Sequence, residues 1–417
     1  MVKSKIKCSG KIIIFFVLFF ISCNRSYYTR NDFEFPDPVD TKNRDIEIQE
    51  KKVYDIDGLK VDNTYEGARL NGFQKISDSI FEATIKAENY PVNESPWYSF
   101  RIMTSEPKSI SLKLKYINAN HRYIPKISSD RNIWKAIDTS ELKIDKEDQS
   151  ATFKLHLDNP LIYISAQEII NSEDIEYWNN SLKSNEKISE LQSIGTTPLG
   201  KKLNFFIISK GKNKGKKVIV LTTRMHPPEV SGFKAFQAFI ETILVDTIYS
   251  TEFFKKYELW VFPCLNPDGV DMGNWRHNSN GVDLNRDWAY YRQPEINYIT
   301  KYIVDRAKMN KNKIILSLDF HSTSQDIYYV FDDKFRTRLK DFPKKWTEEI
   351  DKAVYPFKTI YSPEPMGKPY SKTWFYKQFR AESITYEVGD ETDRNIIRKK
   401  AETAALSMMK LLTISDL

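Results

Sequence analysis

Residues 218–229 read Val-Ile-Val-Leu-Thr-Thr-Arg-Met-His-Pro-Pro-Glu, an apolar run that breaks into a polar turn carrying His226 and Glu229. A short aliphatic run without alternation marks a strand buried on both faces. From Gly232 to Leu244 the period changes, and Phe233, Phe236, Phe239, Ile240 and Ile243 fall on one side of a helix. The same rhythm continues downstream, with strands predicted at Leu259–Phe262, Ile314–Phe320 and Ser383–Val388 and a helix at Pro294–Lys308. The fold class expected is α/β, a mixed or mostly parallel sheet with helices on both faces.

In such a sheet, ligands bind outside the carboxyl ends of the strands, which is where His226 and Glu229 fall. Two prolines stiffen the turn, so that imidazole and carboxylate are held together and can reach one metal. His321 follows the strand Ile314–Phe320 in the same way. Two His and one Glu form the ligand set of a catalytic zinc, with the fourth position left for water. The alternative is two unrelated core or loop histidines; the pair lies 95 positions apart, and that spacing does not choose.

Upstream the pattern is different. Ile110, Leu112, Leu114 and Tyr116 alternate with polar residues, as do Phe153, Leu155 and Leu157, which is the period of half-buried strands. Residues 46–170 are expected to form a β-sandwich domain, and residues 171–417 the α/β domain, with a polar helical stretch near 166–190 at the boundary. Residues 23–45 are polar, carry Pro36 and Pro38, and read as a flexible tether.

The first 22 residues read as an export signal. Lys3, Lys5, Lys7 and Lys11 precede an apolar run, Ile12–Ile21, too short to span a bilayer. Its end, Phe20-Ile21-Ser22-Cys23, resembles a bacterial lipoprotein box, which implies lipidation of Cys23 and a membrane anchor on the periplasmic or cell-surface side. An ordinary signal peptide cut elsewhere is the other reading. Removal of the four lysines takes the formal charge of +7 to about +3, so bulk charge gives no case for nucleic-acid binding. With Cys8 discarded and Cys23 lipidated, Cys264 has no disulfide partner, which excludes a disulfide-stapled scaffold. The 41% hydrophobic content excludes wholesale disorder.

Between the two candidate ligand segments run Asn266-Pro-Asp-Gly-Val270, Gly273-Asn-Trp-Arg276 and Gly281-Val-Asp-Leu-Asn-Arg-Asp-Trp288, and Tyr386-Glu387 follows near the end. In this order the chain resembles the M14 metallocarboxypeptidases, zinc enzymes that remove C-terminal residues from peptides. The short Arg276-to-Asn285 interval and the preceding β-rich block, with Trp97-Tyr-Ser-Phe-Arg101, resemble the cytosolic-carboxypeptidase-like branch. The resemblance implies one zinc held by His226, Glu229 and His321, with Asp283 orienting His226 from behind. It implies Glu387 as the general base acting on a zinc-activated water and Arg276 as the donor to the oxyanion. Asn285 and Arg286 would bind the terminal carboxylate of a peptide or protein substrate.

Two further expectations follow from the resemblance. Tyr361 is the candidate for a tyrosine that caps the bound peptide. Lys372 would lie near the specificity pocket and favour an acidic last residue. Asp268 and Gly269 read as turn formers, His277, His121 and His156 as loop or surface residues, and Asp319 has no role. Two other functions remain open on the sequence: a zinc deacylase or amidase acting on acylated amino acids or cell-wall peptides, and a non-catalytic surface binding protein.

Overall fold

The computed structural model describes residues 27–339 and 341–414. The expected signal at 1–22 and the lipidation site at Cys23 lie outside the described residues.

The N-terminal block is strand-rich. One sheet runs in the order β1 (Val53–Ile56), β2 (Leu59–Asp62), β5 (Ser99–Thr104), β11 (Leu161–Ser165), β7 (Lys126–Ser128) and β8 (Lys135–Ala136). The other runs β3 (Gly72–Lys75), β4 (Ile80–Ile85), β6 (Lys108–Tyr116), β10 (Ser150–Leu157) and β9 (Lys143–Asp145). In β6 and β10 the register sets Leu112 opposite Phe153 and Ile110 opposite Leu155, so the apolar faces of both strands coincide. Those side chains share one core with Leu59, Val61, Phe100 and Ile102 of the first sheet.

The second block is the expected α/β fold. Its sheet runs β12 (Ile188–Thr196), β13 (Lys202–Ile208), β15 (Tyr257–Phe262), β14 (Lys217–Thr223), β16 (Lys313–Thr323), β19 (Glu382–Gly389), β17 (Ile327–Phe331) and β18 (Ile360–Glu364). The four central strands, β15, β14, β16 and β19, are parallel. Antiparallel pairings join them to β13 on one side and β17 on the other, so the sheet is mixed. Successive residues of β14 face opposite cores. Ile219 and Leu221 pack with α2 (Val230–Leu244), α6 (Phe342–Ala353) and α8 (Arg394–Ile414), while Val218 and Val220 pack with α5 (Pro294–Asn310) and α7 (Ser371–Phe379). Burial on both faces is why the strand reads as a continuous apolar run. The remaining helices are α1 (Ser172–Ser181), α3 (Ser250–Lys256) and α4 (Pro267–Met272).

Two differences from the sequence reading bear on the site. β16 continues past Phe320 to Thr323, so His321 lies within the strand rather than beyond it, because β19 runs alongside and pairs His321 with Glu387. The stretch read as a flexible tether is packed from Tyr27 onward. The Tyr27 hydroxyl donates to the Ile314 carbonyl (3.4 Å), Arg30 donates to Asn297 Oδ1 (2.6 Å), and Phe33 is buried in the core shared with α5 and α7. A solvated spacer has no use for Tyr27, Tyr28, Phe33 and Phe35, and these aromatics are what anchor the arm. Among the described residues no helix is long and apolar enough to cross a membrane.

Candidate active site

The turn after β14 brings His226 and Glu229 to the start of α2, with Glu229 as its N-terminal cap residue. Glu229 stands between two imidazoles. Its Oε1 is 2.7 Å from His226 Nδ1 and its Oε2 2.7 Å from His321 Nδ1, and the ligating atoms of all three lie within 4.8 Å of one another. α2 reaches this position only because residue 232 is Gly: a Cβ there would sit 2.4 Å from the His321 carbonyl oxygen. Ser322 adds a tie, its hydroxyl accepting from the Gly232 amide at 2.8 Å.

Each histidine is gripped from behind. His226 Nε2 lies 3.0 Å from Asp283 Oδ1, and His321 Nε2 lies 2.9 Å from Asp319 Oδ2. A carboxylate on Nε2 keeps the proton on that nitrogen and turns the Nδ1 lone pair toward the centre. Two such nitrogens and one carboxylate oxygen, all buried, are a donor set that fits zinc. Burial by itself would raise the pKa of Glu229, but the two imidazoles outweigh it and hold the group below the usual carboxylate range. Asp319, to which the sequence alone assigns no role, is the partner of His321. It accepts from Thr222 (2.7 Å) and from the Ser371 hydroxyl, tying β14, β16 and α7 behind His321. Its signal was available, since positions 319 and 321 share one face of a strand.

Asp283 serves more than His226. Its Oδ2 accepts from Arg276 Nε at 2.7 Å, and its Oδ1 accepts the Asn285 amide at 2.8 Å, capping the turn Leu284–Arg286. Asn285 Oδ1 accepts from the Ser371 amide (3.0 Å), which fixes the side-chain amide. The Arg286 guanidinium stacks 4.6 Å from the centre of the Tyr370 ring. Glu387 lies opposite His321 in the β16–β19 register, and its Oε2 has no hydrogen-bond partner among the described residues. Enclosure pushes its pKa up to about 8, with His321 and Arg276 pulling down and Glu229 and Asp319 pushing up. A cavity of about 280 Å³ is lined by Arg276, Asp283 and Arg286, by Arg44 of the N-terminal arm, and by Val92 and Asn93 of the β-block.

Two expected placements do not hold. Tyr361 sits on β18, where it lines a different cavity with Lys344 and Glu348 of α6. The tyrosines near the cleft are Tyr370, against Arg286, and Tyr329, whose pKa is raised by burial and by Glu387. Lys372 is neither a free cation nor a solvated loop lysine. It is 1% exposed on α7, its Nζ donating to Glu364 Oε2 (3.0 Å) and the Val330 carbonyl (3.1 Å), so its charge is already matched.

The other histidines stand apart from the metal ligands. His121 pairs with the Tyr116 hydroxyl and His156 with that of Ser109, while His277, read as a loop residue, is buried against Asn89 of the β-block (2.6 Å). Burial pushes the Cys264 thiol up to about 12, which leaves it unreactive. Asp268 accepts from Thr197, Leu199 and Ser279, a structural post.

Residues 175–406 match the family model described as Peptidase M14, zinc carboxypeptidase. Cytosolic carboxypeptidase 2 of Xenopus tropicalis is 24% identical over 66% of this chain, and cytosolic carboxypeptidase 3 of Mus musculus 25% identical over 66%. The matches span 32% and 30% of those relatives' own lengths. Among solved structures, a metallo-carboxypeptidase from Pseudomonas aeruginosa, in complex with (2-guanidinoethylmercapto)succinic acid, is 15% identical with a TM-score of 0.69, covering 84% of this chain and 98% of its own. One from Burkholderia cenocepacia is 16% identical with a TM-score of 0.67, covering 84% and 98%. These two likenesses are of fold, and they extend over the β-block as well as the α/β block.

Proposed function

The chain belongs to the Peptidase M14 family of zinc carboxypeptidases, and from that membership we propose that it hydrolyses the C-terminal peptide bond of peptides or proteins. The observation that carries the reading is the convergence of His226, Glu229 and His321 on one point, with Glu387 beside it and Arg276, Asn285 and Arg286 gathered around Asp283. Zinc held by His226, Glu229 and His321 would supply a Lewis acid and an acidified water. Asn285 and Arg286 bind the substrate's terminal carboxylate, which places the last peptide bond beside Glu387. Glu387, whose Oε2 has no hydrogen-bond partner among the described residues, takes the proton from the attacking water and passes it to the leaving amine. Arg276, aimed by Asp283, donates to the oxygen that gains negative charge. Tyr370 keeps Arg286 in place by stacking on it.

The test is a peptide offered with a free and with an amidated C-terminus, with and without a chelator. Release of the last residue only from the free acid, abolished by chelator and restored by zinc, is expected. Equal cleavage of both forms would point to an amidase, and binding without cleavage of either to a surface receptor.

We also infer export and lipid anchoring at Cys23, on the basic, apolar and Phe-Ile-Ser-Cys succession of the first 23 residues. Cys23→Ala should move the protein from the membrane to the soluble fraction; unchanged fractionation would sink that reading.

A further inference from the structure

The loop that carries Arg276 rests on the β-block. A Cβ at Gly273 would meet the Ala68 carbonyl oxygen at 2.7 Å, so the two backbones touch. Trp275 is wholly buried in the β-block core, its indole N–H donating to the Trp97 carbonyl at 3.1 Å. Arg69, buried, donates to the Gly273 carbonyl and to Asn274 Oδ1 (3.0 Å). Glu88, with no exposure, accepts three consecutive peptide N–H groups: Trp275 at 2.7 Å on Oε2, and Arg276 at 3.1 Å and His277 at 2.7 Å on Oε1.

A buried carboxylate is costly unless it is fully hydrogen-bonded, and simple adhesion between two blocks is served as well by apolar side chains. What three N–H bonds to one carboxylate do, and apolar packing does not, is fix three successive peptide planes. Fixing them sets the direction in which the Arg276 side chain leaves the backbone. Asp283 holds the other end, the guanidinium, at 2.7 Å.

We infer that Glu88 is a positioning residue for Arg276, so that the β-block completes the catalytic site through the backbone of residues 275–277. The inference rests on the reading of Arg276 as oxyanion donor. It gives the β-block a task besides shielding the site or gathering substrate.

The experiment is a double-mutant cycle in the full chain, with Glu88→Gln, Arg276→Ala and both together, on a free-acid peptide that the wild type cleaves. Gln keeps the shape of Glu88 but loses the charge and turns an N–H toward an N–H. Removal of an oxyanion donor costs about 100-fold to 1,000-fold in kcat, and a misaimed one should cost about tenfold or more, with KM within about twofold. Zinc content should equal that of the wild type. In the Arg276→Ala background Glu88→Gln should change kcat by less than about twofold, since Glu88 acts only through that side chain. A loss of equal size in both backgrounds would show a general structural role, and no loss in either would also overturn the inference. If Glu88→Gln does not fold, Glu88→Asp, which keeps the charge but retracts it by a methylene, runs the same cycle. Full kcat in Arg276→Ala alone would instead remove the oxyanion reading beneath the inference, which separates the two failures.

Discussion

Asp319→Asn tests the logic of the metal centre at its least obvious member. The wild-type carboxylate accepts a hydrogen bond from His321 Nε2–H at 2.9 Å on one oxygen, shared with the Ser371 hydroxyl, and one from the Thr222 hydroxyl at 2.7 Å on the other. Asn keeps the volume and one acceptor but loses the negative charge that raises the basicity of His321 and fixes its tautomer. Loss of such a partner behind a ligating His costs about 10-fold to 100-fold in metal affinity, or about 1.4–2.7 kcal/mol. The assay is zinc competition against a chelator of known affinity, at constant pH, in wild type and variant. Thr222→Val serves as the control: it removes the bond to the other carboxylate oxygen and leaves the histidine's acceptor in place, so it should weaken zinc by less. An Asp319→Asn protein that binds zinc within about a factor of two of wild type, a difference below about 0.5 kcal/mol, would refute the reasoning.

Other consequences can be measured directly. Glu387→Gln should lower kcat by about 100-fold to 10,000-fold with zinc still bound, since the amide cannot take a proton; undiminished turnover would remove it from the chemistry. Lys372 is buried and paired with Glu364, so Lys372→Met should leave the ranking of peptides by their last residue unchanged within about twofold; a lost preference for an acidic last residue would return Lys372 to the specificity pocket. Glu295 is pushed up to about 7, chiefly by burial, so between about pH 4.5 and 7 the folded chain holds a proton that the unfolded chain has lost. Stability should therefore fall as pH rises through that window, by at most about 3 kcal/mol from this group, and Glu295→Gln should remove that part of the slope and be the more stable protein at pH 8. Urea midpoints for both proteins across the window decide it, and parallel curves would refute it. Glu382 titrates in the same range, pushed up to about 7, so the comparison is of variant with wild type and not of absolute slopes.

The centre of the α/β fold was legible because β14, β15 and β16 are buried on both faces and leave unbroken apolar runs, and α2 shows its apolar side at helical spacing. The flanks were not. β17 and β18 are short, and residues of α8 such as Arg398 and Lys410 hide its periodicity behind surface charge. His226, Glu229 and His321 could be found because each sits at or near the carboxyl end of a readable strand. Tyr370 against Arg286 and Glu364 against Lys372 are contacts of tertiary packing, and no periodicity announces them. The same holds for Glu88, whose partners lie 187 to 189 positions away. The arm at 27–45 is hard to read for a different reason: its prolines and polar residues have the composition of a spacer, and the aromatics Tyr27, Tyr28, Phe33 and Phe35 that dock it follow no period.

The sharing of Asp283 shows how the parts of the site depend on one another. One carboxylate orients a metal ligand, aims the oxyanion arginine and caps the turn that presents Asn285 and Arg286. Charge explains why such a concentration of acids is tolerable. Glu229, Asp283, Asp319 and, once ionised, Glu387 bring four negative charges into one enclosed region, against which Arg276 and Arg286 set two positive ones. Without a metal, burial is outweighed by Asp319 and Glu229, which raise the pKa of His321, and its proton offsets part of this charge. With both imidazoles neutral, as they are when they ligate a metal, the remainder is two negative charges. Burying that remainder is unfavourable by several kcal/mol per uncompensated ion, whereas one divalent cation at the Nδ1 and Oε positions cancels it. The donor set and the tautomers imposed by Asp283 and Asp319 each call for a metal ion, and a divalent cation balances the charge that neutral imidazoles leave.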